Sequence, residues 1–337
     1  MSEFAPKTNI SVKRIITGIR PTATLTIANL IGAAVPLLEL QNTTEGQVLV
    51  FVATMHGLTD HEAIQLNTEE IVKDYLALGL DPKKVIIFDQ KDIRKEVALL
   101  KMYLERHLTV ARACRVPTLK DKLRQGQKPE EANVLLMNYP VMMAADIFLQ
   151  DADVVPVGKD QYSHMELMRE LADSVNEKYG KDKKILVRAE TMNRDEPINI
   201  LSLNGEGKMS KSKPEGAIFL TDSPEVITKK MKRAETAIEG DMSDKLNNLI
   251  KIADALAPEY NKEIESIIAR HMSGEKVMGE LKKLLTEILI NFTKAFQVRR
   301  AEITHEQVSI ILSEGSVIAK TNANIVLERL EKAMGLI

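Results

Sequence analysis

The chain has 337 residues, 44% of them hydrophobic and 28% charged, and its 46 basic and 48 acidic side chains leave a net charge of −2. This balance excludes a disordered chain and a membrane protein, and it limits nucleic-acid contacts to local basic patches. No apolar run approaches the roughly 20 residues that span a bilayer. Met1 to Thr8 carries no apolar signal segment, and the single cysteine, Cys114, excludes a disulfide framework and a cysteine-built zinc site, so a cytoplasmic protein is expected.

Val12 to Ile19 reads as a buried strand closed by Arg20-Pro21-Thr22. Leu25 to Leu40 then has apolar residues at helical spacing, with Thr24 and Thr26 available to cap its start. Gln47 to Ala53 is a second strand. Thr68 to Leu80 is an amphipathic helix that stops at Gly79-Leu80-Asp81-Pro82, and Val85 to Phe88 is a third strand. Strands and helices alternating at these lengths argue for parallel pairing with right-handed crossovers. The fold class is therefore α/β, a doubly wound parallel sheet that binds ligands at the carboxyl ends of its strands.

From Ile93 to Leu149 the pattern is mainly helical, with interruptions at Pro117 and Pro140. Asp153 to Val157 is a short strand, Gly158-Lys159-Asp160 leads into a helix from Gln161, and Ile198 to Leu203 reads as the last core strand. Asn204-Gly205-Glu206-Gly207 is a hinge, after which Ser223 and Pro224 begin a helix as N-cap and first helical residue. Helical patterns continue to the end. The expected organisation is a Rossmann-like domain over 1–203 with a helical insertion at about 93–149, a loop and helical domain over 204–301, and C-terminal helices at 302–337 that pack back on the first domain.

The strongest local signal is Lys208-Met209-Ser210-Lys211-Ser212, which follows two glycines. It offers ammonium groups and hydroxyls on a loop able to close over a polyphosphate and neutralise charge developing there. Thr26-Ile27-Ala28-Asn29 puts small and polar groups at a helix start, where backbone N–H groups favour phosphate.

Together these segments resemble the HIGH-like and KMSKS signatures of class I aminoacyl-tRNA synthetases. Tyr139-Pro140-Val141-Met142-Met143-Ala144-Ala145-Asp146-Ile147 is similar to the specificity helix of the tryptophanyl-tRNA synthetase family. Val154-Val155-Pro156-Val157-Gly158-Lys159-Asp160-Gln161 is similar to that family's GxDQ segment, Thr17-Gly18-Ile19-Arg20-Pro21-Thr22 to its opening turn, and Ala333-Met334-Gly335-Leu336 to its usual ending. The resemblance is nearly full length and strongest from Ile15 to Lys213.

The resemblance implies ATP-dependent activation of L-tryptophan and transfer to tRNA(Trp) by a homodimer, with Mg2+ carried on the nucleotide. Asp146 would accept a hydrogen bond from the indole N–H, which is a donor only. Met143, Val155 and Val157 would wall the pocket, with Gly18 and His56 beside it, and Tyr139 and Gln161 would meet the substrate ammonium. Arg20, Pro21, Thr22, Thr26, Ala28, Asn29, Gly158, Lys159, Asp160, Ile200 and Met209 would hold ATP, with Ile200 against adenine. Lys208 and Lys211 would hold the leaving pyrophosphate, with Ser210 and Ser212 shaping the loop. His164 receives no catalytic role. The family reads the anticodon with the helical region that here spans 204–301.

The chain departs from the family at two glycine positions, which hold Ala23 and Ala28. An added methyl in a tight site costs about 1–3 kcal/mol, so weaker ATP binding is expected. Arg106, Arg112, Arg115, Lys120, Lys122 and Arg124 form one basic cluster suited to the acceptor end of tRNA, and Lys229, Lys230, Lys232 and Arg233 form another. The competing readings are a tryptophan- or RNA-binding paralogue with weakened chemistry and a tyrosyl-tRNA synthetase, the second disfavoured by the AAD-I and VPVG-x-DQ pattern.

Overall fold

The computed structural model describes residues 14–21, 24–59, 67–116, 128, 131–181, 183–193, 199–205 and 207–337. Strand β1 (Arg14–Ile19) is followed by a helical segment in three pieces: α1 (Ile27–Asn29), a π turn over Leu30–Ala34, and α2 (Val35–Thr43). Thr26 caps the segment. The Asn29 N–H donates to Thr26 Oγ1 at 3.3 Å, and the Thr26 N–H donates to Asn29 Oδ1 at 3.2 Å, a reciprocal box. Strand β2 (Gln47–Val52), α3 (Thr68–Ala77) and β3 (Val85–Asp89) follow, and Gly79 at φ 107° lets the chain leave α3.

The middle of the chain contains α4 (Arg94–Glu105), α5 (Val110–Ala113) and α6 (Val134–Phe148). Pro117 lies outside the described residues. The interruption expected at Pro140 does not occur, because Pro140 lies inside α6. A mid-helix proline removes one helical hydrogen bond, but Leu136, Val141, Ala144, Ala145 and Phe148 are all buried, so packing around the helix outweighs local propensity. Strand β4 (Val154–Val157), α7 (Tyr162–Tyr179) and β5 (Glu190–Asn193) complete the sheet.

Among the described residues the last strand of the sheet is therefore β5 and not the run ending at Leu203. Ile198 lies outside the described residues. Ile200 and Leu203 are buried, while Leu201 makes only an isolated antiparallel bridge to Lys208. Those apolar residues fill core without joining the sheet. Edge strand β5 has one apolar residue, Met192, and thus no hydrophobic pattern to read.

All strand pairs are parallel, in the order β3-β2-β1-β4-β5. The order reverses between β1 and β4, and the crevice beyond their carboxyl ends is where such sheets bind ligands. Alternate residues of β2 go to opposite cores. Val48, Val50 and Val52 pack with Ile27, Ile31, Ile71 and Ile200, whereas Leu49 and Phe51 pack with Val97, Met142, Phe148 and Met168. Burial on both faces explains the unbroken apolar runs of the strands.

Beyond the sheet come α8 (Pro224–Arg233), α9 (Asp244–Leu256), α10 (Asn261–Met272), α11 (Met278–Glu302) and α12 (His305–Met334). Ser223 caps α8, accepting from the Val226 N–H at 3.4 Å. Helices α11 and α12 return to the sheet. Arg299 Nε donates to the Ala77 carbonyl at 2.8 Å, Asn322 Nδ2 to Gln150 Oε1 at 3.0 Å, and the Tyr103 hydroxyl to Glu331 at 2.8 Å. Gly315 of α12 lies so close to edge strand β3 that any Cβ there would collide with the Ile87 carbonyl. No helix among the described residues is long and apolar enough to cross a membrane.

Candidate active site

Two short turns at the carboxyl ends of β2 and β3 build one wall of the site. Asp89, 1% exposed, accepts from Thr54 Oγ1 at 2.6 Å, Thr68 Oγ1 at 2.8 Å and the Lys91 N–H at 3.0 Å, which locks the turns together. Gln90, fully buried, bridges them: Oε1 accepts from the Met55 N–H at 2.9 Å, and Nε2 donates to both carboxylate oxygens of Asp146 at 2.8 Å. His56 Nε2 lies 2.9 Å from Asp146 Oδ2. A buried carboxylate is tolerated only when paired and hydrogen-bonded. Its two oxygens offer about four lone-pair sites, so Asp146 retains capacity for another donor.

Tyr139, Met143 and Asp146 are spaced by four and three residues along α6 and therefore share a face. Tyr139 and Asp146 are buried and Met143 is half-buried. The Tyr139 hydroxyl lies 2.9 Å from His164 Nε2, and His164 Nδ1 lies 2.6 Å from Gln161 Oε1. Gln161 Nε2 in turn donates to Asp160 Oδ2 at 2.6 Å. His164, to which the sequence reading gave no catalytic role, thus joins the two residues proposed for the ammonium. Its spacing of three from Gln161 was the available signal.

Val155 and Val157 of β4, buried and half-buried, continue the wall. Gly18 near the end of β1 is exposed, and the Phe51 ring approaches it so closely that an added Cβ would stand 2.7 Å from Phe51 Cζ. Gly158 caps the turn over Lys159–Gln161, where Lys159 and Asp160 are exposed.

The opposite face of the sheet carries the helix start and the lysine loop. Arg20 is exposed and Pro21 buried, while Thr22 and Ala23 lie outside the described residues. Ala28 is half-buried against the core. Residues 217–220 run antiparallel to the helix start: Thr26 bridges Phe219, the Ile27 N–H donates to the Ile218 carbonyl at 2.9 Å, and the Leu220 N–H donates to the Leu25 carbonyl at 2.9 Å. The loop itself is anchored by the Met209 N–H, which donates to the Ile200 carbonyl at 2.9 Å, with both side chains buried. Ser210 and Ser212 hydroxyls lie 3.1 Å apart. The helix start is thereby bonded to the stretch of chain that follows the lysine loop.

Lys208 is exposed and Lys211 half-buried. Burial pushes the Lys211 ammonium below the usual lysine range, and the charge of Asp74 opposes that shift. Asp74 belongs to α3, is 2% exposed, accepts from Arg300 Nε of α11 at 2.5 Å and also bonds the Leu25 backbone. Burial holds its carboxyl above the usual carboxylate range against the pull of Arg300.

Within each basic cluster one described residue is engaged by an acidic partner. Lys120, Lys122 and Arg124 lie outside the described residues, and Arg112 makes a two-pronged pair with Glu170 at 2.8 and 2.9 Å. Arg106 and Arg115 are exposed. Lys230 turns inward to Asp222 at 2.8 Å and to the Ala217 carbonyl at 2.7 Å, over the Phe219 ring. Lys229, Lys232 and Arg233 remain exposed and form an open patch on α8 with Pro224, Glu225 and Thr228.

Residues 10–294 match the family model of tRNA synthetases class I (W and Y). The chain is 33% identical to a tryptophan–tRNA ligase of Helicobacter pylori over 96% of this chain and 99% of that protein. It is 35% identical to one from Bacillus subtilis over 96% and 97%. A solved structure of Campylobacter jejuni tryptophanyl-tRNA synthetase complexed with ADP and tryptophan superposes with a TM-score of 0.81 at 29% identity, covering 96% of this chain and 99% of that one. A tyrosyl-tRNA synthetase from Archaeoglobus fulgidus, at 20% identity and a TM-score of 0.66, shares the fold. The chain belongs to the class I tRNA synthetases of the tryptophan and tyrosine group.

Proposed function

We propose that the protein is a tryptophan–tRNA ligase, which activates L-tryptophan with ATP and transfers it to tRNA(Trp). The observation that carries this reading is the buried Asp146 carboxylate, held in place by Gln90 and His56 and flanked along α6 by buried apolar residues. An indole N–H is a donor without acceptor capacity, and a fixed acceptor in an apolar wall selects it over a plain aromatic ring.

The tryptophan carboxylate, ionised at neutral pH, attacks the α-phosphorus of ATP, and pyrophosphate leaves with the electron pair of the broken P–O bond. No strong general base is needed, so catalysis consists of positioning and charge stabilisation. A ribose hydroxyl of the terminal tRNA adenosine then attacks the acyl carbon, and AMP leaves. Thr26, Ala28 and Asn29 at the helix start, with Arg20, Pro21 and Thr22 before them, cradle the nucleotide. Gly158, Lys159 and Asp160 approach it from β4, while Ile200 and Met209 back the adenine. Lys208 and Lys211 receive the charge that develops on pyrophosphate, with Ser210 and Ser212 setting the loop shape. Any Mg2+ would be carried as part of the ATP substrate and would offset charge on its phosphates. Tyr139 and Gln161 hold the substrate ammonium, and Gly18, His56, Met143, Val155 and Val157 enclose the ring.

The exposed basic side chains of α8 suit the anionic backbone of tRNA, and the helical region over 204–301 is assigned to the anticodon. A homodimer acting in the cytoplasm completes the proposal. Pyrophosphate exchange into ATP, measured with each of the twenty amino acids, tests it. Exchange that depends on tryptophan supports the ligase. Tight tryptophan binding without exchange would instead indicate a sensor, and exchange led by tyrosine would indicate the sister enzyme.

A further inference from the structure

The hydrogen bonds from Asp160 to Tyr139 form a chain whose polarity can be worked out link by link. A carboxylate only accepts, so the group of Gln161 that faces Asp160 Oδ2 at 2.6 Å is its NH2. The carbonyl Oε1 of Gln161 then faces His164, and since that oxygen also only accepts, Nδ1, 2.6 Å away, carries a proton, which in the neutral form of the ring is its single one. Nε2 is left with a lone pair. The Tyr139 hydroxyl, 2.9 Å from Nε2, must therefore donate its hydrogen to His164. With that hydrogen committed, the phenolic oxygen presents lone pairs to any other partner.

His164 is suited to hold this arrangement. It is 2% exposed, lies in the first turn of α7 and packs edge-on against the Tyr139 ring at 5.2 Å and 83°. The ring fixes where Tyr139 sits, and its tautomer fixes which way the hydroxyl points. A histidine tautomer is set by the bond its other nitrogen makes, here ultimately by the Asp160 charge.

We infer that His164 is a positioning residue that makes Tyr139 an obligate acceptor toward the substrate ammonium. This rests on the proposal that Tyr139 and Gln161 meet that group. An ammonium has three donors and no lone pair, so a hydroxyl free to rotate would present its hydrogen part of the time and repel it. The relay removes that orientation before substrate arrives. It also keeps Gln161 Oε1 turned inward, so both oxygens near the ammonium carry the same polarity.

The test compares L-tryptophan with indole-3-propionate, which lacks only the amino group, by calorimetry on the full chain. His164→Phe keeps a ring of similar size and removes the hydrogen bonds to Tyr139 and Gln161. The preference for tryptophan over indole-3-propionate should fall about tenfold or more, as expected on losing an oriented bond to a charged group, while affinity for indole-3-propionate holds. An unchanged preference overturns the inference. His164→Gln can place a carbonyl near the former Nε2 and should recover part of the preference. If His164→Phe binds neither ligand, His164→Gln decides: preference retained within about threefold supports the relay, and preference lost to the level of an unoriented hydroxyl overturns it. If the unaltered protein already binds both ligands equally, the ammonium contact itself is absent, and the fault lies in the underlying assignment.

Discussion

Gln90 Nε2 stands 2.8 Å from both carboxylate oxygens of Asp146, so the acid proposed to read the indole is aimed by an amide from the neighbouring strand end. The same amide's oxygen holds the Met55 N–H. Replacing Gln90 with leucine leaves a carboxylate oxygen and a backbone N–H short of a partner, each costing about 1–3 kcal/mol. The expected outcome is a rise of about tenfold in the KM for tryptophan, with the KM for ATP unchanged, in pyrophosphate-exchange kinetics. An equal rise for both substrates would place Gln90 in the general scaffold only.

Lys211 gives a pH prediction with a definite sign. It must be protonated to attract phosphate, so kcat/KM for ATP falls as pH rises through its pKa. Burial sets that pKa below the usual lysine range, and the Asp74 charge keeps it from falling further. The alkaline limb should therefore lie below the range of an ordinary lysine. Asp74→Asn should shift it further toward neutral pH, because the amide no longer stabilises the ammonium. A limb that does not move in the variant would separate Asp74 from Lys211.

Ala28 lies on the first turn of the helix under the proposed nucleotide, where the sequence resemblance implies a glycine. Ala28→Gly should lower the KM for ATP by up to about tenfold, following the cost of an extra methyl in a tight site. It should also reduce stability by up to about 1 kcal/mol, the usual penalty of glycine in a helix. The methyl packs partly against the core, so stability can fall even where KM does not change. An unchanged KM shows that the nucleotide already accommodates the methyl.

At Gly315 there is no space for a side chain between α12 and β3. Gly315→Ala should lower stability by about 1–3 kcal/mol through overpacking, measured by denaturant unfolding. An unchanged midpoint would mean that α12 shifts freely on the sheet.

Much of this was legible in the sequence for physical reasons. Strands buried on both faces leave continuous apolar runs, a threonine such as Thr26 before an apolar helical stretch offers a cap, and a charged residue such as Asp146 stands out among apolar neighbours. Other features were not. Strand β5 has little apolar content because it is an edge. Pro140 looked like a break because local propensity is visible in sequence and the packing that overrides it is not. Gln90 follows Asp89 at the end of a buried strand, the place where a doubly wound sheet puts its ligands, but its partner lies 56 residues away on α6. Lys230 counts as surface charge until the fold turns it onto Asp222.

The acceptor role of Asp146 carries the assignment of tryptophan as substrate. Its most direct test measures kcat/KM for adenylate formation with tryptophan and with 3-benzothienylalanine, which replaces the indole N–H by sulfur, in the unaltered protein and in Asp146→Ala. The unaltered protein should prefer tryptophan by roughly a hundredfold or more, as sites built around a buried polar partner do, and the variant should lose most of that preference. Equal preference in the two proteins would contradict the account.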